Sequence, residues 1–348
     1  MGKMSFRGWL TAITLVLLAF VVVLAWPEIV QAWQLLDRIN LWILALLIPI
    51  QFFSYYATGG MIFSYLRAKD DLKDVSRWRM TRIALELNFV NHILPSGGAA
   101  GFSYLGWVLS RLGVRPGRST MAQIIRFALT FLSFVVLLVV AVLALIIDEQ
   151  ISRTVILLCL LLAALAIGAT IGTIYIIGSE ARLRRFSQWL TKKINRFVEV
   201  VTRRKKQGIL APAVILDFFM DLHEDFVAIR RDKRILIRPF IWAVLANMAD
   251  VALLWIAFWS LGYVVNPAIL FVAFGVSSIA GALSATPGGA GVYEAIMITF
   301  LASTGIPTDM AIAGTLIARV TLVLGTVAFG YVFYQLTVNK YGRRPPLG

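Results

Sequence analysis

The sequence predicts an all-α polytopic membrane protein with about six full spans and two re-entrant helical hairpins in an inverted-topology repeat. Hydrophobic residues make up 59% of the 348 positions and charged residues only 15%, too few to cover one core with a polar surface. Apolar runs recur along the chain, and each is long enough to cross a hydrocarbon layer roughly 30 Å thick as a helix. We place the spans near residues 10–26, 41–66, 119–147, 154–178, 240–262 and 308–337.

The distribution of basic residues predicts how these spans are oriented. The net charge is +15, and most Lys and Arg residues fall in the two terminal tails and in residues 67–82, 110–118 and 180–238. Only Arg38 and Arg153 fall in the opposite loops. Because cytoplasmic loops carry the excess of basic residues, we expect a multi-pass protein of the cytoplasmic (inner) membrane with both termini inside. Orientation and contact with anionic lipid explain the charge, and no RNA-binding or zinc motif favours a nucleic-acid partner.

The first hairpin is predicted from a helix-breaking motif between two basic flanks. Residues 91–104 read NHILPSGGAAGFSY within an apolar segment, 82–110, that is long enough to cross the membrane. A single crossing would carry one basic flank outside, so we expect the segment to enter from the cytoplasm, turn and leave by the same face. Proline lacks a backbone donor and glycine permits positive φ, which suits a turn between two half-helices. The predicted tip residues are Pro95, Gly97, Gly98 and Gly101.

A second copy of the motif distinguishes this arrangement from an ordinary helix kink. Residues 286–295 read TPGGAGVYEA within an apolar segment, 267–304, whose flanks are not basic, so this hairpin is expected to enter from outside. Span, hairpin and span thus occur twice in opposite orientation, in 41–147 and 240–337, within one transmembrane domain of residues 1–348. Paired broken segments of this kind are typical of transporter sites near the bilayer midplane. The tip residues are Pro287, Gly288, Gly289 and Gly291.

Ionisable and amide side chains within the apolar segments are the candidate substrate-binding residues. A charge at membrane depth costs several kcal/mol unless it is paired or faces a polar cavity. Arg126 and Arg319 follow the two tip prolines at nearly equal distances, and the arginine fork suits a phosphate. A purely structural role, as the ion pairs Glu86–Arg126 and Glu294–Arg319, is the alternative. The candidates are Glu86, Asn88, Asn91, His92, Arg126, Asn247, Asp250, Tyr293, Glu294 and Arg319.

Residues 180–238 form a cytoplasmic amphipathic insertion between the two halves. Its first part carries apolar residues at helical spacing among many basic ones, which predicts an interfacial helix on anionic lipid. The next stretch, ILAPAVILDFFMDL from Ile209, either continues that surface or docks under the bundle. The apolar face consists of Leu183, Phe186, Trp189, Leu190, Ile194, Phe197 and Val201.

The LPSGGAAG and PGGAGVYEA elements and their spacing in an all-membrane chain resemble the lysylphosphatidylglycerol synthase transmembrane region, a family of flippase-like proteins. The resemblance covers about residues 5–340. It implies a bacterial or archaeal protein that moves a phospholipid or related lipid between leaflets. From the candidate residues and the two hairpins we expect an anionic or aminoacylated phospholipid, or a lipid-linked headgroup, to cross by alternating access. Members fused to a soluble aminoacyl-transferase domain also synthesise the lipid. This chain ends at Gly348 without that domain, so we expect a stand-alone translocase and not an enzyme.

Two other functions stay open at this stage. One is a membrane-embedded transferase acting on a lipid substrate with Glu86 or His92 as base, and the other is a transporter of a small soluble anion. No metal or cofactor is predicted, because Cys159 is the only cysteine and the two histidines, His92 and His223, fall in different regions. The expected partner is membrane phospholipid, as substrate and surroundings, and a homo-oligomer stays open.

Overall fold

The computed structural model describes residues 39–93, 99–147, 153–201, 212–284 and 289–341. Throughout these ranges the regular secondary structure is helical, which confirms the predicted all-α class. A short 3₁₀ helix spans Lys233–Leu236. The helices are α1 (Leu41–Ala45), α2 (Leu47–Ala68), α3 (Arg77–Ile93), α4 (Ala99–Ser110), α5 (Pro116–Ile147), α6 (Arg153–Ile177), α7 (Glu180–Val201), α8 (Pro212–Arg231), α9 (Ile237–Ser260), α10 (Pro267–Leu283), α11 (Val292–Ser303) and α12 (Thr308–Tyr341).

Within the described residues, five stretches of helix are long and apolar enough to cross a membrane, and they coincide with five of the six predicted spans. The predicted span at residues 10–26 lies outside the described residues. Apolar side chains cover the outer faces of α5 and α6, as lipid-facing helices require. The five stretches are Leu41–Ala68, Pro116–Ile147, Ile156–Ile177, Lys233–Ser260 and Thr308–Tyr341. Exposed side chains on α5 and α6 include Val136, Val139, Val140, Leu143, Leu157, Leu160 and Leu161.

Local sequence signals fix where several helices begin and end. Asn266 precedes α10, and its side-chain oxygen accepts a hydrogen bond from the Ala268 N–H at 2.9 Å, while Pro267 occupies the first helical position. At the end of α11, Gly305 adopts a φ of 91°, and the Ile306 N–H donates to the Leu301 carbonyl at 3.3 Å. This is the glycine-terminated ending common in helices. Local sequence signals therefore define the start of α10 and the end of α11, the two ends that lie away from the proline-glycine motif.

Two sets of helices repeat the same packing pattern. In the first set, α2 packs on α3 and α5, α3 packs on α4, and α4 packs on α5. In the second set, α9 packs on α10 and α12, α10 packs on α11, and α11 packs on α12. The contacts between the sets are also matched, and α2 and α9 pack directly on each other. The contact of α3 with α12 corresponds to that of α10 with α5. The contact of α2 with α12 corresponds to that of α9 with α5. Each of these contacts between two helices therefore has a counterpart in the other set or between the sets.

The crossed contacts interlock the two sets through aromatic side chains. On α3, the ring of Phe89 lies 5.7 Å from that of Tyr331 and 5.4 Å from that of Tyr334, both on α12. The corresponding contact of α5 with α10 is a stacked pair, Phe134 and Phe271, with ring centroids 4.9 Å apart. Because each pair of short helices packs on the last span of the other set, neither set has a separate core.

The described part of the insertion includes α7 and α8, and α8 docks on the base of α5. Asp225 on α8 is buried, with its carboxylate 3.5 Å from Arg118 and 3.9 Å from Lys69. Leu183 and Leu222 are buried in the core that these helices share with the bundle. The second helix therefore docks under the bundle. On α7, Trp189 remains exposed, and the side chains of Leu190, Ile194, Phe197 and Val201 lie outside the description.

Candidate functional site

A polar cavity of about 340 Å³ lies where the two helix sets meet. Residues of α2 and α3 from the first set and of α9 to α12 from the second set line it. Six of the ten candidate substrate-binding residues reach this cavity, although residues of the two sets lie far apart in the sequence. They are Asn88, Asn91, His92, Asp250, Tyr293 and Arg319.

Asp250 on α9 places a carboxylate on the cavity wall. Its side-chain oxygen accepts a hydrogen bond of 2.5 Å from the hydroxyl of Ser54 on α2. Among the residues that the structure describes, no basic side chain lies within salt-bridge distance of this carboxylate. A half-buried carboxylate with one neutral donor is suited to a cationic ligand group.

Arg319 on α12 is held from two directions by residues of α11. Its Nε lies 2.6 Å from Oε1 of Glu294, an ion pair by distance without the N–H···O angle of a hydrogen bond. The guanidinium also lies over the Tyr293 ring, 5.1 Å from the centroid. The predicted Glu294–Arg319 ion pair is thus confirmed. Glu294 itself is buried behind the arginine, and its other oxygen accepts from the Gly291 N–H at 2.6 Å, which caps the start of α11.

The second motif brings two backbone segments into direct contact beside the cavity. Gly289 has a φ of 76°, and a Cβ at this position would lie 2.8 Å from the Gly281 Cα on α10. Only glycine meets both demands, because any other side chain would be strained and would collide with backbone. The predicted tip residues Gly101, Gly289 and Gly291 are described, while Pro95, Gly97, Gly98, Pro287 and Gly288 lie outside the described residues.

Three polar residues of α3 face the cavity near the first motif. The Asn88 amide donates to the Ala84 carbonyl at 2.9 Å, and Nδ1 of His92 lies 2.8 Å from the Asn88 carbonyl. A carbonyl can only accept, so we assign the ring proton to Nδ1, which leaves Nε2 for another partner. The buried Oδ1 of Asn91 has no hydrogen-bond partner among the described residues, and it packs closely against Gly101 of α4.

Glu86 does not line the cavity, and its predicted ion pair with Arg126 is wrong. Its carboxylate is buried and accepts hydrogen bonds from the Tyr104 hydroxyl at 2.7 Å and the Thr337 hydroxyl at 2.8 Å. Glu86 therefore joins α3 and α4 to α12 through neutral donors. The guanidinium of Arg126 instead lies 4.3 Å from the centroid of the Phe127 ring, and its Nε is buried without a hydrogen-bond partner in the described ranges.

The remaining candidate, Asn247, bridges α9 to α5 outside the cavity lining. Its amide donates to the Thr130 carbonyl at 3.1 Å and to the Ser133 hydroxyl at 2.7 Å. Glu294 also lies behind the lining and reaches the cavity through Arg319. The ten candidates therefore divide into six that face the cavity, one that supports a cavity residue, and three, Glu86, Arg126 and Asn247, that lie elsewhere.

Several uncharged residues of the cavity were not predicted from the sequence. On α2, a polar stripe repeats at helical spacing within an apolar span, and this spacing could have revealed it. Gln51 anchors the stripe, since its amide donates to the Leu322 carbonyl at 2.7 Å and to the Tyr55 hydroxyl at 2.8 Å. The missed polar residues are Ser54, Tyr55, Thr58, Ser278, Ser284 and Thr315.

The interlocked apolar helices around a polar cavity define a polytopic α-helical membrane protein. Residues 9–330 match the family described as lysylphosphatidylglycerol synthase TM region. The chain therefore belongs to this family, as its two motifs indicate. It is also 31% identical over 90 residues to the UPF0104 membrane protein MJ1595 of Methanocaldococcus jannaschii. That similarity covers 26% of this chain and 27% of the archaeal protein.

Proposed function

We propose that this protein is a lipid translocase that moves a phospholipid headgroup, anionic or aminoacylated, across the cytoplasmic membrane by alternating access. The observation that carries the proposal is the polar cavity between the two helix sets, lined by a carboxylate and an arginine at membrane depth. Charged groups of this kind in membrane spans are typical of substrate pathways. Membership of the lysylphosphatidylglycerol synthase TM region family supports a lipid substrate.

The charges of the cavity favour a headgroup that carries both signs. Arg319 offers guanidinium donors suited to a phosphate, and Asp250 offers a carboxylate suited to an ammonium group. A phospholipid with only a phosphate would leave Asp250 facing an anion. Of the two headgroup classes, the aminoacylated one therefore satisfies the cavity better.

The size of the cavity favours entry of the headgroup alone. Its volume of about 340 Å³ lies at the small end of the range of roughly 300 to 1,000 Å³ that is usual for ligand sites. A headgroup fits this space, whereas two acyl chains do not. In the proposed pathway the chains therefore stay in the surrounding lipid while the headgroup crosses between the helix sets.

The mechanism we propose places the two pairs of short helices at the gates. The matched packing of α2 to α5 and α9 to α12 supports an inverted-topology repeat, in which α3–α4 and α10–α11 are re-entrant hairpins from opposite faces. The close approach of Gly281 and Gly289 supports a tip that moves as one packed unit. Asn88, Asn91 and His92 offer neutral hydrogen bonds to the passing headgroup.

Lipid movement in sealed proteoliposomes tests the proposal. Aminoacylated phosphatidylglycerol is included in both leaflets, and a membrane-impermeant amine reagent is added outside, so only lipid in the outer leaflet reacts at first. A translocase exposes the inner pool with time, and mass spectrometry counts the modified lipid. A reacted fraction no larger than that of protein-free liposomes would rule out movement of the aminoacylated headgroup, the one that the cavity charges favour.

The same preparation separates the other two functions. A new covalent lipid product formed by the protein in detergent would identify a membrane-embedded transferase. Accumulation of a radiolabelled small anion in the vesicles, without movement of lipid, would identify a transporter of a soluble anion.

A further inference from the structure

A second recess of about 610 Å³ opens between the α2–α3 connection and the start of α9. It shares no lining residue with the central cavity. It lies at the end of the bundle that carries the strongly basic connections, and four arginines line it. These are Arg67, Arg77, Arg234 and Arg238.

The positive charge of this recess is not neutralised by the part of the protein that the structure describes. No carboxylate in the described ranges lies within salt-bridge distance of the four guanidinium groups. Asp232, the acidic residue among the described lining residues, accepts a hydrogen bond of 3.0 Å from the Arg234 backbone N–H, which caps the 3₁₀ helix. Four cations facing one space, where the carboxylate among the described lining residues bonds to the backbone, attract an anion from elsewhere.

Arg67 is the recess arginine whose position the fold fixes directly. Its Nη2 donates to the Val75 carbonyl at 2.8 Å, which fixes the side chain against the α2–α3 connection. A guanidinium held in this way adds a positive charge to the recess at a defined position.

The wall beneath the arginines is apolar and aromatic. The rings of Tyr56 and Trp242 meet edge to face with centroids 5.4 Å apart, and Phe63 lines the same wall. Gly60 makes room for the indole, because a Cβ there would lie 2.6 Å from the Trp242 ring. A basic rim above an aromatic wall matches the boundary between phosphate groups and acyl chains in a membrane, where tryptophan and tyrosine are enriched.

We propose that this recess is a binding site for an anionic phospholipid, whose phosphate lies among the four arginines and whose chains lie along the aromatic wall. Basic pockets between membrane helices are suited to such headgroups. Free phosphate would use the rim but would gain nothing from Tyr56, Phe63 and Trp242. The proposal does not depend on the translocase proposal, because the site is separate from the central cavity and requires no transport.

Lipid binding by the purified full-length protein in detergent tests the site. Phosphatidylglycerol and phosphatidylcholine are titrated separately, and bound lipid is counted by native mass spectrometry. The variant is Arg77→Gln with Arg238→Gln, two exposed side chains that no described carboxylate contacts. The control is Arg230→Gln with Arg231→Gln, which removes the same charge from the exposed end of α8. We expect the recess variant to bind phosphatidylglycerol about tenfold more weakly and the control to bind as the unaltered protein does.

Three results would overturn the proposal. Equal loss in the recess variant and the control would show attraction to surface charge alone. Displacement of phosphatidylglycerol by millimolar inorganic phosphate, with the free anion binding as tightly as the lipid, would show a phosphate site without lipid. Loss of binding in a variant with Arg319→Gln and Glu294→Gln, which leaves the recess intact, would place the lipid in the central cavity.

A measurement on the unaltered protein covers the case in which the recess variant does not fold. Phosphatidylglycerol with a photoreactive group near the glycerol should cross-link to residues 56–64 and to Trp242, in preference to the exposed apolar faces of α5 and α6. Cross-links distributed like those of the matching phosphatidylcholine probe would contradict the site.

Discussion

At the residue scale, Glu294 shows how one buried carboxylate serves local structure and the cavity together. One oxygen caps α11 through the Gly291 N–H, and the other pairs with Arg319. Both partners of the ion pair are largely shielded, with side chains 5% and 11% exposed. The desolvation of such a pair offsets much of its attraction, so its value lies more in holding the arginine in place than in stabilising the fold.

Breaking this pair from one side should destabilise the protein strongly. Arg319→Gln leaves the Glu294 carboxylate buried without its cation, at a cost of about 3 to 5 kcal/mol in the free energy of unfolding. Adding Glu294→Gln removes the uncompensated charge and should restore most of the stability. Thermal melting in detergent measures both changes.

The exposed pair Glu180–Arg184 on α7 is the matched control, since its N···O distance is also 2.6 Å. Arg184→Gln should cost no more than about 0.5 kcal/mol, because both side chains are about half exposed. If Arg319→Gln alone lowered the melting temperature no more than Arg184→Gln does, the buried pair would contribute nothing to stability.

Asp250 should decide which headgroup crosses. Asp250→Asn keeps an acceptor for the Ser54 hydroxyl but removes the negative charge from the cavity wall. We expect transport of aminoacylated phosphatidylglycerol to fall about tenfold, the value of one charge-assisted hydrogen bond, and transport of phosphatidylglycerol to be maintained. Initial rates for the two lipids in parallel proteoliposomes test this. Equal losses for both lipids would contradict a role in binding the amine.

At the element scale, the contact of α10 with the turn before α11 is the feature most sensitive to side-chain size. Gly289→Ala places a methyl group 2.8 Å from the Gly281 Cα and should reduce transport at least tenfold, because the tip can no longer pack. Initial rates of lipid movement measure the effect, and gel filtration confirms that the variant is monodisperse.

Gly305→Ala is the control for backbone strain at the same helix pair. Gly305 has a φ of 91°, so alanine is strained there too, at roughly 1 to 2 kcal/mol, but nothing lies within 4 Å of the added Cβ. Transport at the unaltered rate in this variant, with loss in Gly289→Ala, isolates the steric contact. An equal loss of transport in the two variants would assign the effect of Gly289→Ala to backbone strain alone.

The positions of the helices could largely be predicted from the sequence, because the length of a span and a proline-glycine motif are local features of the chain. Both pairs of short helices appear where the motifs predict a break, with α3 and α4 flanking the first and α10 and α11 the second. The hydrogen-bond partners of the buried polar groups could not be predicted from the sequence. Glu86 bonds Thr337 on a helix of the other set, and Ser54 bonds Asp250, contacts that depend on which helix faces pack together.

The Glu86–Arg126 pairing failed for the same physical reason. Sequence spacing placed one glutamate in each hairpin and one arginine in the span that follows it, but two hydroxyl groups satisfy Glu86 in place of a cation. The apolar pattern of α8 also did not show whether this helix lies on lipid or docks under the bundle, because both environments favour the same apolar residues. The buried Asp225, which faces Lys69 and Arg118, is the contact that distinguishes them.

At the scale of the whole molecule, the matched packing of the two sets leads to a prediction of topology. If the sets are inverted copies, the ends of the α3–α4 pair face the cytoplasm and the ends of the α10–α11 pair face outside. Cysteines at Ser76 and Arg115 should then react with an impermeant thiol reagent only from the cytoplasmic side, and those at Val264 and Thr308 only from the external side.

All four positions are exposed, so their side chains are open to the reagent. The native Cys159 is buried and is replaced by serine in the background. Opposite accessibility of the two members of either pair would show a helix pair that crosses the membrane, and the inverted-repeat proposal would then fail.

The central claim is that the cavity between the sets conducts a lipid headgroup. Its most direct test is the rate at which aminoacylated phosphatidylglycerol crosses sealed proteoliposomes that contain either the unaltered protein or the variant with both Arg319→Gln and Glu294→Gln. We predict that the unaltered protein exposes the inner lipid pool and that the double variant, although stably folded, does so at the rate of protein-free liposomes. A folded double variant that moves the lipid as fast as the unaltered protein would contradict the account.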